Sequence, residues 1–216
     1  MYHKKIYMDK LFPPPPGNRY KNLMIDNDSV SYITTPYNSE IISTIIQYHI
    51  PNDVLASDLT IFDATAGVGG DTIALAKVFK TVLSCEINQD RFMMLKNNVS
   101  IYNLYNVIPL NRDSLDIMHN INFVDVVYFD PPWGGSDYKS QSRLKLSLGG
   151  EDIESVVNNL FDRKKTKSNI KLVALKLPNN YDIKYLYEKT KNDNIIMYLY
   201  QLKKITLILY QKKEFI

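Results

Sequence analysis

The sequence predicts an α/β fold: an open, mainly parallel, seven-stranded sheet covered by helices on both faces and finished by an antiparallel hairpin. Three observations predict it. Short apolar segments alternate with helical stripes along most of the 216 residues. Several of those segments are apolar throughout, as strands buried on both faces are. The last two lie too close together for a helical crossover, so they must pair antiparallel.

The elements follow in order. Residues 1–29 read as an irregular N-terminal arm, and residues 30–216 as one domain. Lys4, Lys5 and Lys10 precede "PPPPG" at 13–17, which favours extended polyproline structure and cannot be a helix interior. Thr35 followed by Pro36 reads as a helix N-cap with proline at the first helical position. Ile41, Ile42, Ile45 and Ile46 recur at helical spacing until Pro51. "LTIFDAT", 59–65, is a strand that runs into "AGVGG", with a helix over 71–79 behind it. Strands follow at 81–87, 106–113 and 124–129, and Phe92, Leu95, Val99 and Tyr102 form one face of the helix between the first two of these. Ile153, Val156, Val157, Leu160 and Phe161 share a helical stripe. A polar connection at 163–167 leads to a strand at 170–177, a helix in "YDIKYLYEK", and the hairpin "IIMYLYQ" with "ITLILYQ".

Composition narrows the class. The chain is 45% hydrophobic and 23% charged, an ordinary globular mixture. No segment approaches the roughly 20 apolar residues of a membrane span, and the N-terminus lacks the apolar stretch of a signal peptide. A soluble intracellular protein of cytoplasm or nucleus, without membrane contact, is expected. The formal charge of +3 balances 26 basic against 23 acidic residues, so it neither argues for nor excludes nucleic acid. The single cysteine, Cys85, reads as a core residue, and no cluster of thiols suggests a metal. His3, His49 and His119 lie outside the motifs below and are assigned no role as a base.

In such sheets ligands bind beyond the carboxyl ends of the strands. The first strand ends in "DATAGVGGDT", where Gly67 and Gly69 permit a tight turn and a close backbone approach, with Ala64 beside them. Thr72 stands where a dinucleotide fingerprint would have its third glycine. Glu86, followed by Ile87, ends the second strand, where a carboxylate can accept from both ribose hydroxyls. Asp113, followed by Ser114, ends the third, within reach of an adenine amine. Asp63 could face a cationic tail. Each acid alone would read as a cap or a surface residue; three at successive strand ends suggest an adenosine ligand with a positive tail and no phosphate. S-adenosylmethionine fits this better than a nicotinamide dinucleotide.

The fourth strand ends in "DPPWGG", residues 130–135. Pro131 and Pro132 stiffen the loop before a substrate arrives. Stiffness suits methyl transfer, in which the acceptor nitrogen must lie opposite the sulfonium. The Asp130 carboxylate, with carbonyl oxygens of the loop, can accept from an exocyclic amine and aim its lone pair. Trp133 offers a flat face on which a base can stack, and Gly134 and Gly135 leave the entrance open.

"DATAGVGGDTIALA" joined downstream to "DPPWGGSDY" resembles the trimethylguanosine synthases, the cap hypermethylases of small RNAs. The likeness runs from about Tyr32 to the last strand and includes "YITTP" and "LPNNYDI". It implies a Rossmann-like class I S-adenosylmethionine-dependent methyltransferase acting, without metal, on the 2-amino group of a 7-methylguanosine cap, with capped RNA as partner; the sequence leaves the oligomeric state open and favours a monomer. It implies that Trp133 stacks on the methylated guanine, with Pro132 beside it, and that Thr35 and Pro36 line the methionine end of the cofactor. Phe12 is similar to an aromatic at the edge of the family's cap pocket, although an apolar anchor for the arm is an equal reading. The chain departs from the family pattern at Asn179, where a basic residue is usual, at Tyr37, where an acid is usual, and in its proline insert. Lys4, Lys5, Lys10 and Lys176 are therefore the candidates for cap phosphates. So compact a catalytic unit could be encoded by a virus or a protist. Two rival readings stand beside this one: a methyltransferase of the adenine exocyclic amine in RNA or DNA, and a cap- or RNA-binding module without transfer activity.

Overall fold

A computed structural model describes residues 7–216. Among the described residues nine strands form, β1 Thr60–Asp63, β2 Thr81–Cys85, β3 Val107–Leu110, β4 Val126–Phe129, β5 Ser147–Leu148, β6 Glu151–Asp152, β7 Leu172–Pro178, β8 Ile195–Gln201 and β9 Ile205–Lys212. Seven of them make one sheet in the order β3-β2-β1-β4-β7-β9-β8, parallel from β3 to β7 and antiparallel at β9 and β8. This is the mixed sheet that the apolar runs and the closing hairpin imply. The strands are shorter than their apolar runs because residues 64–65, 86–87 and 111–113 bend away into the loops of the carboxyl edge.

The helices are α1 Met8–Leu11, α2 Ser29–Tyr32, α3 Pro36–Tyr48, α4 Gly70–Leu75, α5 Gln89–Ile101, α6 Ser114–Asn120, α7 Ile153–Phe161 and α8 Ile183–Thr190. Side-chain alternation along the strands divides the core. Ile61, Val126, Tyr128 and Ala174 bury against Ile42 and Ile46 of α3, Leu75 of α4 and Leu95 of α5. Phe62, Val127, Phe129 and Leu175 bury against Met118 of α6, Val156 and Leu160 of α7, and Leu186 of α8. Each such aliphatic or aromatic side chain contributes about 1.5–3 kcal/mol on leaving water.

Three features differ from the sequence expectation. The helix expected over 71–79 ends at Leu75, and the remainder is turn. Helix α6 follows β3 directly, with Asp113 as its N-cap. A two-stranded hairpin, β5–β6, stands between the tryptophan loop and α7.

The arm is bolted to α5. Phe12 and Leu23 bury with Val68 and Ile73 in a small third cluster. Asn98, fully buried in α5, donates to the carbonyls of Met24 (2.8 Å) and Val68 (2.9 Å) and accepts from the Met24 N–H (2.8 Å). Arg19 donates to the Ile101 carbonyl (2.7 Å), and the Tyr102 hydroxyl to that of Pro13. The proline insert thus lies along the C-terminal half of α5.

Candidate active site

Strand order sets the site. With β3, β2 and β1 side by side, Asp113, Glu86 and Asp63 come together at one edge. Between Asp63 and α4 the chain turns through Gly67 at φ 54° and Gly69 at φ 99°, conformations in which other residues are strained. A Cβ placed on Gly67 would meet nothing within 4 Å, so that side of the loop faces open space. Glu86 is half-buried, and its Oε1 accepts from the Asn88 N–H at 2.8 Å. Burial raises its pKa, while the Asn88 N–H, Arg91 and the Gly67 N–H oppose the rise. Beside it Ile87 is exposed, an apolar plate at the rim. The Asp113 Oδ1 caps α6 by accepting from the Leu115 N–H at 2.9 Å, and Ser114 is buried next to it.

Asp63 is held inside the loop. It is 1% exposed, accepts from the Thr72 hydroxyl at 2.6 Å, and is lifted to about 7 by burial, with Asp71 and Asp130 adding to the rise. Ala64 is buried with its N–H on the Tyr128 carbonyl.

The second half of the site is the end of β4. Phe129 pairs with Leu175, so Asp130 emerges opposite Lys176 of β7. The Lys176 ammonium donates to Asp130 Oδ2 and to the Thr34 hydroxyl (2.7 Å), and it is 3% exposed. Thr34 in turn donates to Asp71 (2.6 Å), which also accepts from Ser39 (2.7 Å) and Tyr128 (2.8 Å). Burial lifts Asp130 to about 6 against the pull of Lys176, with Asp71 adding to the rise. Burial by itself would lower Lys176; Asp130, Asp71 and Asp63 together hold it above its ordinary value. The Asp130 N–H donates to the Thr65 hydroxyl at 2.7 Å, which ties this motif to the glycine loop.

Pro131 is buried and Pro132 exposed. Trp133 is half-buried, packed edge-on against Tyr138 with ring centroids 5.3 Å apart, and the Lys176 ammonium lies 5.5 Å from its centroid. Its indole N–H is buried, faces Asp130 and eases that carboxyl's ionisation, without reaching full hydrogen-bond geometry to any described residue.

Other candidates take places that differ from those expected of them. Phe12 is fully buried in the arm cluster, the position of an anchor. Lys176 is committed to Asp130 and Thr34. Thr35 is exposed at the start of α3 and makes no side-chain cap bond; its neighbour Thr34 joins the network instead. Lys10 is exposed on α1, and Lys4 and Lys5 lie outside the described residues. Sequence reasoning missed Thr34, Asp71 and Tyr128. Among the described residues no group of three or more His, Cys, Asp or Glu is arranged to hold a metal ion, and no helix is long and apolar enough to cross a membrane.

Residues 59–213 match the family described as RNA cap guanine-N2 methyltransferase. An uncharacterized protein of Acanthamoeba polyphaga mimivirus is 33% identical over 94% of this chain and 84% of its own length. The trimethylguanosine synthase of Schizosaccharomyces pombe is 32% identical over 58% of this chain, which spans about half (53%) of that protein. Among solved structures, the precorrin-6y C5,15-methyltransferase of Geobacter metallireducens superposes with a TM-score of 0.59 at 14% identity, covering 88% of this chain and 98% of its own. A Streptococcus mutans protein solved in complex with SAH superposes at 0.52 and 14% identity, covering 88% and 99%. At these identities the structures speak for the Rossmann-like fold alone.

Proposed function

Since the chain belongs to the RNA cap guanine-N2 methyltransferase family, we propose that it methylates the exocyclic 2-amino group of a 7-methylguanosine RNA cap, giving di- or trimethylguanosine. The observation that carries the proposal is the meeting of Asp130, Lys176 and Trp133 at the end of β4, one hydrogen bond from the glycine loop.

S-adenosylmethionine is the cofactor, and when bound it supplies an activated methyl on a sulfonium. The residues present fit it: open space before Gly67, a half-buried Glu86 for the ribose, the exposed Ile87 beside the adenine, and Asp113 with Ser114 at the adenine edge. Asp63 and Ala64 support the loop, and Thr35 borders the methionine end. The described part of the arm, residues 7–29, closes the flank of the site: Asp26 pairs with Arg91 at 2.9 Å, and Arg91 in turn eases the ionisation of Glu86.

The acceptor side is built for positioning. Lys176 binds Asp130 Oδ2, and the Trp133 indole N–H faces the same carboxylate and eases its ionisation. Oδ1 accepts from the guanine amine, aims its lone pair, and can hold the proton the amine sheds. Pro131 and Pro132 fix the loop, and Trp133 stacks the purine on the side away from Lys176. Base stacking of this kind contributes about 1–3 kcal/mol. Alignment to within an ångström is what such a site contributes to rate, and losing it costs on the order of 100-fold.

One observation favours the neutral-base rival. The Lys176 ammonium beside Trp133 already supplies a cation to that ring, which weakens the advantage of a cationic purine over adenine. The Asp130 carboxylate offsets it for the cap. Incubation with labelled methyl donor and a panel of guanosine and adenosine nucleotides, followed by nucleoside mass analysis, separates the two. Label on the 2-amino group of 7-methylguanosine supports the cap reading, and label on adenosine overturns it. Free 7-methylguanosine diphosphate should compete only in the first case. The mimivirus relative supports a viral origin for the chain.

A further inference from the structure

Of the cap-phosphate candidates named from sequence, Lys176 is locked to Asp130, Lys10 lies on α1, and Lys4 and Lys5 lie outside the described residues. Other cations are gathered at the mouth of the site. Strand β7 ends at Pro178, and the next two residues act as clasps. Asn179 donates to the Lys203 carbonyl (3.3 Å) and accepts from Thr206 (3.2 Å), which holds the β8–β9 turn against the end of β7. Asn180 donates to the carbonyls of Tyr138 (2.6 Å) and Gln141 (2.8 Å), and its own carbonyl accepts from the Leu144 N–H (2.9 Å). The segment that follows the tryptophan loop is thereby drawn onto the same edge.

The two clasped segments bring Lys139, Arg143, Lys203 and Lys204 to one rim, and all four side chains are exposed. None forms an ion pair among the described residues; Lys139 only borders the Tyr138 ring, 5.8 Å from its centroid. Between Tyr138 and Leu146, and between Leu202 and Thr206, the sequence carries no acid. Tyr138 itself touches Trp133, so the rim begins at the proposed base platform. Charges left unpaired on two segments that side-chain amides fasten together suit a polyanion better than a folded protein face, which would bring its own carboxylates and apolar anchors.

We infer that Lys139, Arg143, Lys203 and Lys204 form the track for the phosphodiester backbone of the RNA behind the cap. This rests on the cap reading above. The track carries no sequence information; it adds affinity for a long transcript over a free cap nucleotide and makes that affinity depend on salt.

The test compares the wild-type protein with the Lys139→Gln/Arg143→Gln/Lys203→Gln/Lys204→Gln variant. Two substrates are used, 7-methylguanosine diphosphate and a capped single-stranded RNA of about 20 nucleotides, with KM and anisotropy-measured RNA affinity followed over a salt series. Each phosphate contact contributes about 0.7 to the slope of log affinity against log salt for a single strand, so four lost contacts remove up to about 3 from it. The variant should bind and methylate capped RNA at least tenfold more weakly at low salt, with a flatter slope, and should use the free nucleotide as the wild type does. Equal RNA affinity and equal slope in the two proteins overturn the track. Loss of RNA affinity in a protein whose wild type methylates neither substrate leaves the track standing and overturns the cap reading instead.

Discussion

Two neighbouring parallel strands, β1 and β4, each deliver an aspartate to the carboxyl edge of the sheet, and the chain treats the two differently. Asp63 at the end of β1 is sealed inside, held by a hydroxyl, with no cation in contact among the described residues. Asp130, just past β4, is given a buried lysine of its own. Burial drives both carboxyls toward the neutral form. Only at β4 does a second buried charge resist that drift, and a buried ammonium is costly unless its partner stays ionised. The difference makes Asp63 a brace for the glycine loop, and it fits the role proposed for Asp130, whose charge a buried cation sustains.

Matched substitutions should expose the contrast most strongly. Asp130→Asn strands Lys176 without its contacting carboxylate and should cost about 3 kcal/mol of stability at pH 8.5. Asp63→Asn keeps the acceptor for Thr72 and should cost little near pH 4.5. Above pH 7 it should stabilise. The sign follows from proton counting: with a folded pKa of about 7 against 3.8 in the unfolded chain, the native state holds a proton the unfolded state lacks. The stability this proton brings is complete below pH 3.8 and is lost as pH rises through 7, a fall of up to about 4 kcal/mol. The amide of the variant has no such proton to lose. Denaturant melts of both variants at pH 4.5 and 8.5 check this; equal losses in the two at pH 8.5 would erase the distinction.

A second comparison sets the platform against the glycine loop. Trp133→Ala should reduce transfer by about 100-fold or more, while calorimetric titration finds the affinity for S-adenosylmethionine within about twofold. A parallel loss of cofactor affinity would show that the indole belongs to the loop's half of the site.

The acid limb of turnover is the third. On the proposed role of Asp130 its protonation removes the amine's acceptor, so the rate should fall below about pH 6. Lys176 holds that carboxyl down, so Lys176→Met should move the limb to higher pH. A limb that stays in place would detach Lys176 from the reaction. The smallest effect is expected at the start of α3. Thr35 makes no cap bond, so Thr35→Ala should cost under about 0.5 kcal/mol by thermal melt, whereas Thr34→Val breaks two bonds of the Asp71–Lys176 network and should cost more.

The parallel strands and the closing hairpin were legible because fully apolar runs leave no other place for those residues than between two helical layers. The three acids of the first strands were legible for a related reason: a carboxylate that ends such a run must leave the core at the strand's end. Helix α6 was not, although "DSLDIM" carries a capping aspartate ahead of apolar residues three apart, because the segment is only seven residues long. The tertiary partners were harder. A lysine inside the otherwise apolar "LVALKLP" signals a buried ion pair, but nothing local says that the partner is Asp130; the β4–β7 register decides that. Thr34 and Asp71 were hidden because each looks like an ordinary helix-start residue until Lys176 and Tyr128 arrive from distant strands. Phe12 could be read two ways from sequence, and its burial with Leu23, Val68 and Ile73 comes from the arm's path along α5.

The most direct test is a crystal structure with 7-methylguanosine diphosphate and S-adenosylhomocysteine bound. The guanine should lie flat on Trp133, its 2-amino nitrogen within hydrogen-bonding distance of Asp130 Oδ1 and pointing at the cofactor sulfur. An indole still wedged against Tyr138, with the nucleotide seated away from β4, would contradict the account.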